Sequence, residues 1–262
     1  MSASRHPIMP ARHATAANDS LPEGFPSHSS GVTPSNFLGQ LSAEDYVALA
    51  RIARLKKYSK GEFVFSTGSP GSSVYFLRQG KIKIGQLSPA GREVILWFCL
   101  AGEIFGLAEV ARGGGRVVHA QACEDSEVLA VSQDEYKAFI ERHARVALLS
   151  LQVLSSRLRV LGDMFVNLVA DDVDTRIAKL ILRLSARYGV HSDKDDKDIL
   201  LNIPLTHQEI ADMVGTTRQT VTKVLGRLKR KGVLSMENHR IVIESEEFLN
   251  EMSHGGPSAD RG

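Results

Sequence analysis

Leu205-Thr-His-Gln-Glu-Ile-Ala-Asp-Met-Val-Gly215-Thr-Thr-Arg218-Gln-Thr-Val-Thr-Lys-Val-Leu225 reads as two short amphipathic helices joined at Gly215. Ile210, Ala211 and Val214 fall on one face of the first helix, and Val221, Val224 and Leu225 on one face of the second, so each buries a single apolar stripe. Gly215 sits where a residue free to take positive φ ends a helix, and Thr216 or Thr217 can cap the next one. Arg218, Gln219, Thr220 and Lys223 then project from the second helix. Arginine and glutamine have the donor and acceptor geometry that suits guanine and adenine edges in a major groove. The segment 206–243 carries seven Lys or Arg against three acids, while the whole chain stands at only +2. A helix-turn-helix that concentrates positive charge points to duplex DNA.

Upstream of this unit, Ala147, Leu151, Leu154, Leu158, Leu161, Phe165 and Leu168 recur at alternating steps of four and three. That heptad seam on a long helix predicts pairing with a second copy, with Leu151, Leu154, Leu158, Leu161, Phe165 and Leu168 as the dimer interface. The alternative is a helix lying on its own barrel. Farther upstream, glycine-punctuated apolar runs recur at roughly ten-residue spacing. They are Phe63–Phe65, Val74–Leu77, Lys81–Ile84, Val94–Phe98, Val117–Ala122 and Val128–Val131, and they read as a small barrel or jelly roll. A helical segment from Phe37 to about Lys57, capped at Ser42 and Asp45, introduces this barrel. After the seam, a helix from Thr175 to Tyr188, a polar loop at 191–198, a strand at 200–203 and a two-stranded wing (Val233 onward and Arg240–Glu244) complete a winged helix-turn-helix. The fold class is therefore α+β.

Composition bounds the remaining choices. With 262 residues, 43% of them hydrophobic, the chain has material for about two cored domains. No apolar run approaches the roughly 20 residues needed to span a bilayer, and the first residues lack a signal-peptide core, so the expectation is a cytoplasmic protein with no membrane partner. Only Cys99 and Cys123 are present, too few for a disulfide framework or a four-thiolate cluster. The histidines at the start of the chain (His6, His13, His28) fit no metal-ligand template, and the Asp-rich loop at 193–198 lacks the glycine and terminal glutamate of a calcium loop. There is no phosphate loop, His-Glu-x-x-His or nucleophile elbow, which argues against an enzyme. The expected division is a disordered tail at 1–35, a sensor domain at 36–137, a dimerisation helix at 138–170, the DNA-binding domain at 171–250 and a disordered tail at 251–262.

Barrel, seam helix and winged helix-turn-helix in this order resemble the Crp/Fnr family of bacterial transcription regulators over about residues 37–247. The motifs that carry the resemblance are Gly61-Glu-Phe63, Tyr75-Phe-Leu-Arg-Gln-Gly-Lys-Ile-Lys83, Leu100-Ala-Gly-Glu-Ile-Phe-Gly106 and the segment 205–225. The resemblance implies an N-terminal β-roll or jelly-roll sensor of the cyclic-nucleotide-binding type, a coiled-coil dimerisation helix, and a dimer bound to a pseudo-palindromic promoter site with RNA polymerase as a partner. Arg218 is expected to read a guanine, with Gln219 and Lys223 as further base readers. Thr206, Thr216, Thr217, Thr220, Thr222 and Arg240 complete the DNA-binding set, most of them on phosphates. In cyclic-AMP-responsive members a glutamate follows the glycine matching Gly106, and an Arg-Ser pair grips the phosphate. Here Leu107 replaces that glutamate, Val117 replaces the serine after Arg116, and Leu161 and Gly162 stand where hydroxyls would meet adenine. Each unmet buried polar group would cost the nucleotide roughly 1–3 kcal/mol, so cyclic AMP is not the expected effector. Phe105, Gly106, Leu107, Arg116 and Arg157 resemble the nitrogen-control branch, which holds 2-oxoglutarate, although Gly162 departs from that branch too. A small anionic effector and no effector both remain open, as do a haem ligated through Cys99, His119 or a methionine, a thiol switch, and a cyclic-nucleotide-type module acting on a partner protein. The cofactor is left unassigned. A hinge is expected between Ala170 and Val173.

Overall fold

The computed structural model describes residues 36–191, 197–238 and 240–255. The tail expected at 1–35, its histidines and the middle of the polar loop lie outside the described residues. Ser42 caps α1 (Ala43–Ile52), its hydroxyl accepting from the Asp45 amide at 3.0 Å. The helical segment expected to reach Lys57 stops there, and Arg54–Tyr58 is strand β1. Pairing decides this outcome: every residue of β1 has an antiparallel partner on Ser126–Ser132 (β8), and that ladder outweighs local helix preference.

The barrel consists of two four-stranded antiparallel sheets. One runs β1-β8-β3-β6, with β3 at Ser73–Gln79 and β6 at Ile104–Phe105; the other runs β2-β7-β4-β5, with β2 at Phe63–Phe65, β4 at Lys81–Leu87, β5 at Glu93–Leu100 and β7 at His119–Ala122. The strand expected from Val117 begins two residues later, and Val117 itself is 62% exposed. Between the sheets lie Leu77, Ile82, Ile84, Cys99, Phe105, Ala120 and Val128. A second apolar cluster packs the outer face of the first sheet against α1, α2 (Gln133–Arg142) and the start of α3 (Ala144–Ala170).

Helix α3 has two faces. Val146, Leu149 and Val153 bury against the barrel, while Leu151, Leu158, Phe165 and Leu168 stand 55–72% exposed along the other side. The reading of a helix lying on its own barrel thus holds for one face, and the heptad stripe is left largely exposed on the other. The chain breaks at Asp171, Asp172 caps α4 (Val173–Tyr188) by accepting from the Thr175 amide at 2.8 Å, and the head begins. Its elements are β9 (Gly189–His191), β10 (Ile199–Leu201), α5 (His207–Val214), α6 (Arg218–Arg230), β11 (Leu234–Glu237), β12 (Arg240–Ile243) and α7 (Glu246–Ser253). The wing is four-stranded, β11-β12-β10-β9, because β12 pairs with β10 as well as with β11. Helix α7 crosses the boundary expected at 250: Leu249 and Met252 are buried against α4, an apolar i, i+3 pair that fixes the last helix to the head. No helix among the described residues is long and apolar enough to cross a membrane.

Candidate nucleic-acid interface and sensor pocket

The turn between α5 and α6 is built from local rules. Thr206 and Glu209 form a reciprocal capping box at the start of α5, the Glu209 amide donating to Thr206 Oγ1 at 3.1 Å and the Thr206 amide donating to Glu209 Oε2 at 2.7 Å. Gly215 ends the helix at φ 73°, and its amide and that of Thr216 both donate to the Ala211 carbonyl at 3.0 Å. Thr217 rather than Thr216 caps α6, its hydroxyl accepting from the Thr220 amide at 3.1 Å. Val221, Val224, Leu225 and Leu228 hold the inner face of α6 in the head core, and the outer face carries exposed Arg218, Gln219, Thr222 and Lys223.

The expected DNA-binding residues fall into three groups. Arg218, Gln219, Thr222 and Lys223 share the open face of α6. Thr206, Thr217 and Thr220 serve the helix caps, so their hydroxyls are already engaged. Arg240 lies on the wing, opposite Glu237 in the ladder. Thr216 is tied to the barrel through its carbonyl, which accepts from Arg92. One residue that the sequence reading passed over joins this face: His207 Nδ1 meets Thr222 Oγ1 at 2.8 Å, and that hydroxyl also donates to the Arg218 carbonyl at 2.9 Å. The place of His207 as the first residue of α5, fifteen residues before Thr222, carries no periodic signal of that contact.

In the barrel, Phe105, Gly106 and Arg116 come together. The rings of Phe105 and Tyr75 stack at 5.2 Å, and the Arg116 guanidinium lies 4.2 Å over Phe65. Gly106 takes φ 77°, and a Cβ there would press on Arg116 Nη1 at 3.1 Å. Arg116 is 2% exposed; its two terminal nitrogens donate to the carbonyls of Gly106 and Ser73 and the carboxylate of Glu109, while its buried Nε has no partner among the described residues. Leu107 turns away into the apolar cluster beneath α2 and α3. Arg157 lies apart from Arg116: it donates to the Ile104 carbonyl, reaches Cys99 Sγ at 3.8 Å and covers Trp97. The two arginines expected to share one dianion thus have separate partners.

The other sensor candidates are also placed. His119 is 5% exposed, bonds Glu93 at 3.0 Å and meets Phe63 edge to face, the surroundings of a satisfied core histidine. Burial pushes the Cys99 thiol up to about 12 and the Cys123 thiol up to about 11, which disfavours the thiolate form of both.

The head rests on the barrel. Lys81 Nζ, in β4, donates to the Pro204 carbonyl at 2.8 Å and to Glu209 at 3.2 Å, Arg187 pairs with Glu103, and Ile95 and Phe98 of β5 complete the head core.

Residues 55–143 match the profile of the cyclic nucleotide-binding domain, and residues 175–252 match that of the Crp-like helix-turn-helix domain. The chain is 29% identical to a CRP-like cAMP-activated global transcriptional regulator of Mycobacterium tuberculosis over 77% of its own length and 89% of the relative's. It is 28% identical to a global nitrogen regulator of Synechocystis over 75% of its length and 87% of that protein's. Among solved structures it is similar to a CooA mutant from Carboxydothermus hydrogenoformans, with a TM-score of 0.73 and 26% identity over 85% of this chain and 97% of that one.

Proposed function

Since the chain belongs to the Crp/Fnr family of transcription regulators, which bind DNA as homodimers, we propose that it reads a pseudo-palindromic promoter site through α6. The carrying observation is the open face of that helix, where Arg218, Gln219 and Lys223 stand free of the head core while Thr217 and Gly215 fix their approach. Arg218 takes a guanine, Gln219 and Lys223 take neighbouring base edges, and Thr206, Thr216, Thr217, Thr220, Thr222 and Arg240 line the phosphates. The exposed seam of α3, from Leu151 to Leu168, pairs the two copies. Such a regulator works in the cytoplasm and hands its signal to RNA polymerase.

The sensor in this reading does not answer to cyclic AMP. Glu109 supplies from within the chain the carboxylate that pairs with the Arg116 guanidinium, in the place an incoming anion would otherwise take. An anionic effector must displace a buried, charge-assisted pair before it can bind, and that cost falls on its affinity. Arg157, held by Ile104 and Cys99, is not poised to compensate.

Selection of bound duplexes from a random pool tests both parts. One inverted-repeat motif should be enriched, with and without cyclic AMP or 2-oxoglutarate. Absence of any enriched motif would defeat the DNA-reading proposal, and a motif that appears only with cyclic AMP would defeat the sensor proposal.

A further inference from the structure

A second cavity, of about 240 Å3, lies away from Arg116, where the C-terminal half of α3, β5, α4 and the last turn of α5 meet. Leu96, Leu180 and Met213 give it an apolar wall, and Leu161 and Phe165, seam residues that also face the partner helix, bound it on the α3 side. One wall group is different in kind. Arg183 of α4 is partly buried there, and among the described residues no carboxylate or carbonyl lies within bonding distance of its guanidinium. Burial lowers its pKa, and the acid acting on it most strongly, Asp163, attracts it from a distance without forming an ion pair. The other charges at the cavity are already occupied. Arg176 donates to the carbonyls of Val214 and Asp171, at 3.0 and 2.9 Å, and Asp212 accepts from Gln208 Nε2 at 2.8 Å.

We propose that this cavity binds a small apolar monocarboxylic acid, its hydrocarbon part against Leu96, Leu180 and Met213 and its carboxylate paired with Arg183. One free cation among apolar side chains matches one negative charge on an apolar body. A phosphate or a dianion would call for a second free cation, and Arg176, the other cation at the wall, is held by two carbonyls. The volume is below the roughly 300–1,000 Å3 of drug-sized pockets, so the ligand is small. A guanidinium presents two parallel donors to a carboxylate, which is the strongest pairing open to it in a partly dry site. The position has a consequence for the head. Met213 and Gly215 line the cavity and lead directly into Thr216 and Thr217, where α6 starts, so occupancy there and DNA binding are linked and each changes the other's affinity by the same factor.

Calorimetric titration of the full-length dimer, without DNA, tests this with octanoate and phenylacetate as probes and 1-octanol as the uncharged control. Saturable binding of one carboxylate per chain is expected, with octanoate preferred over the alcohol by about 10- to 100-fold, the worth of a charge-assisted pair. Arg183→Gln should abolish that preference, and Met213→Trp, which fills the cavity, should abolish binding of both. Sedimentation and circular dichroism establish that each variant is still a folded dimer. Arg116→Gln should leave octanoate binding unchanged. Absence of saturable binding, equal affinity for octanoate in Arg183→Gln, or loss of binding in Arg116→Gln would each overturn the proposal. None of these outcomes depends on whether α6 reads DNA.

Discussion

Arg218 carries more of the functional account than any other side chain. It is exposed at the first turn of α6, its backbone carbonyl is fixed by Thr222, and the cap at Thr217 sets its direction. Replacing it with alanine should cost about 1–3 kcal/mol on the selected site and relax preference at one base pair, because a bidentate contact to guanine is lost while the helix stays in place. Binding measured against a panel of singly substituted duplexes checks this; an unaltered preference would remove Arg218 from the reading set. Its role was legible in the sequence, since the turn chemistry around Gly215 places it without tertiary information. His207 was not. Its hydrogen bond to Thr222 joins two helices, and no periodicity reports a contact across a turn. The pairing of Arg116 with Glu109 was hidden for a similar reason: six residues of loop separate them, and a free arginine and an internally paired one look the same in sequence.

Among the elements, α3 shows how a repeat can be read incompletely. The heptad stripe follows the more exposed face, whereas Val146, Leu149 and Val153, which hold the helix on the barrel, lie off the stripe. Leu158 is 72% exposed in the single chain and lies in mid-seam. Leu158→Lys would place an unpaired charge against the partner helix, so sedimentation should find monomers where the unmodified chain gives dimers. Strand β1 was read as helix because its five residues carry no alternation of their own; its neighbour β8 supplies the pattern. The break between α3 and α4 yields a pH prediction. The Thr175 amide bonds to the Asp172 carboxylate and holds its pKa below the usual value of about 3.9. A depressed folded-state pKa means the cap contributes fully above that unfolded value and is lost as pH falls through the folded one. Asp172→Asn keeps a capping oxygen without the charge. Its stability to urea should therefore fall less than that of the unmodified chain between pH 6 and 3; parallel curves would contradict the cap's role.

At the scale of the whole molecule, sensor and head share a core. Phe98 belongs to a barrel strand, is 1% exposed and packs among the head residues, with the Lys81 ammonium 4.1 Å above its ring and the Tyr188 hydroxyl donating to its carbonyl at 3.4 Å. The chain should therefore unfold as one unit in denaturant. Phe98→Ala should cost about 3–5 kcal/mol and uncouple the two halves. Trp97, the single tryptophan, reports on the barrel by fluorescence, while far-ultraviolet circular dichroism is weighted towards the helices. The two probes should coincide for the unmodified chain and separate for the variant. This shared core was beyond the sequence, because the apolar stripe of β5 looks the same whether its outer face meets water or another domain.

The most direct test of the account is the mass, by sedimentation, of the complex formed on a duplex carrying the enriched site, compared with the same duplex lengthened by half a helical turn between its half-sites. Two recognition helices in a symmetric dimer lie about 34–36 Å apart, one turn of B-DNA. Two chains should bind the first duplex tightly, and the added half-turn, about five base pairs, should abolish that complex. A single chain per duplex, or a complex indifferent to the insertion, would contradict the claim that paired α3 helices present two α6 helices to one face of DNA.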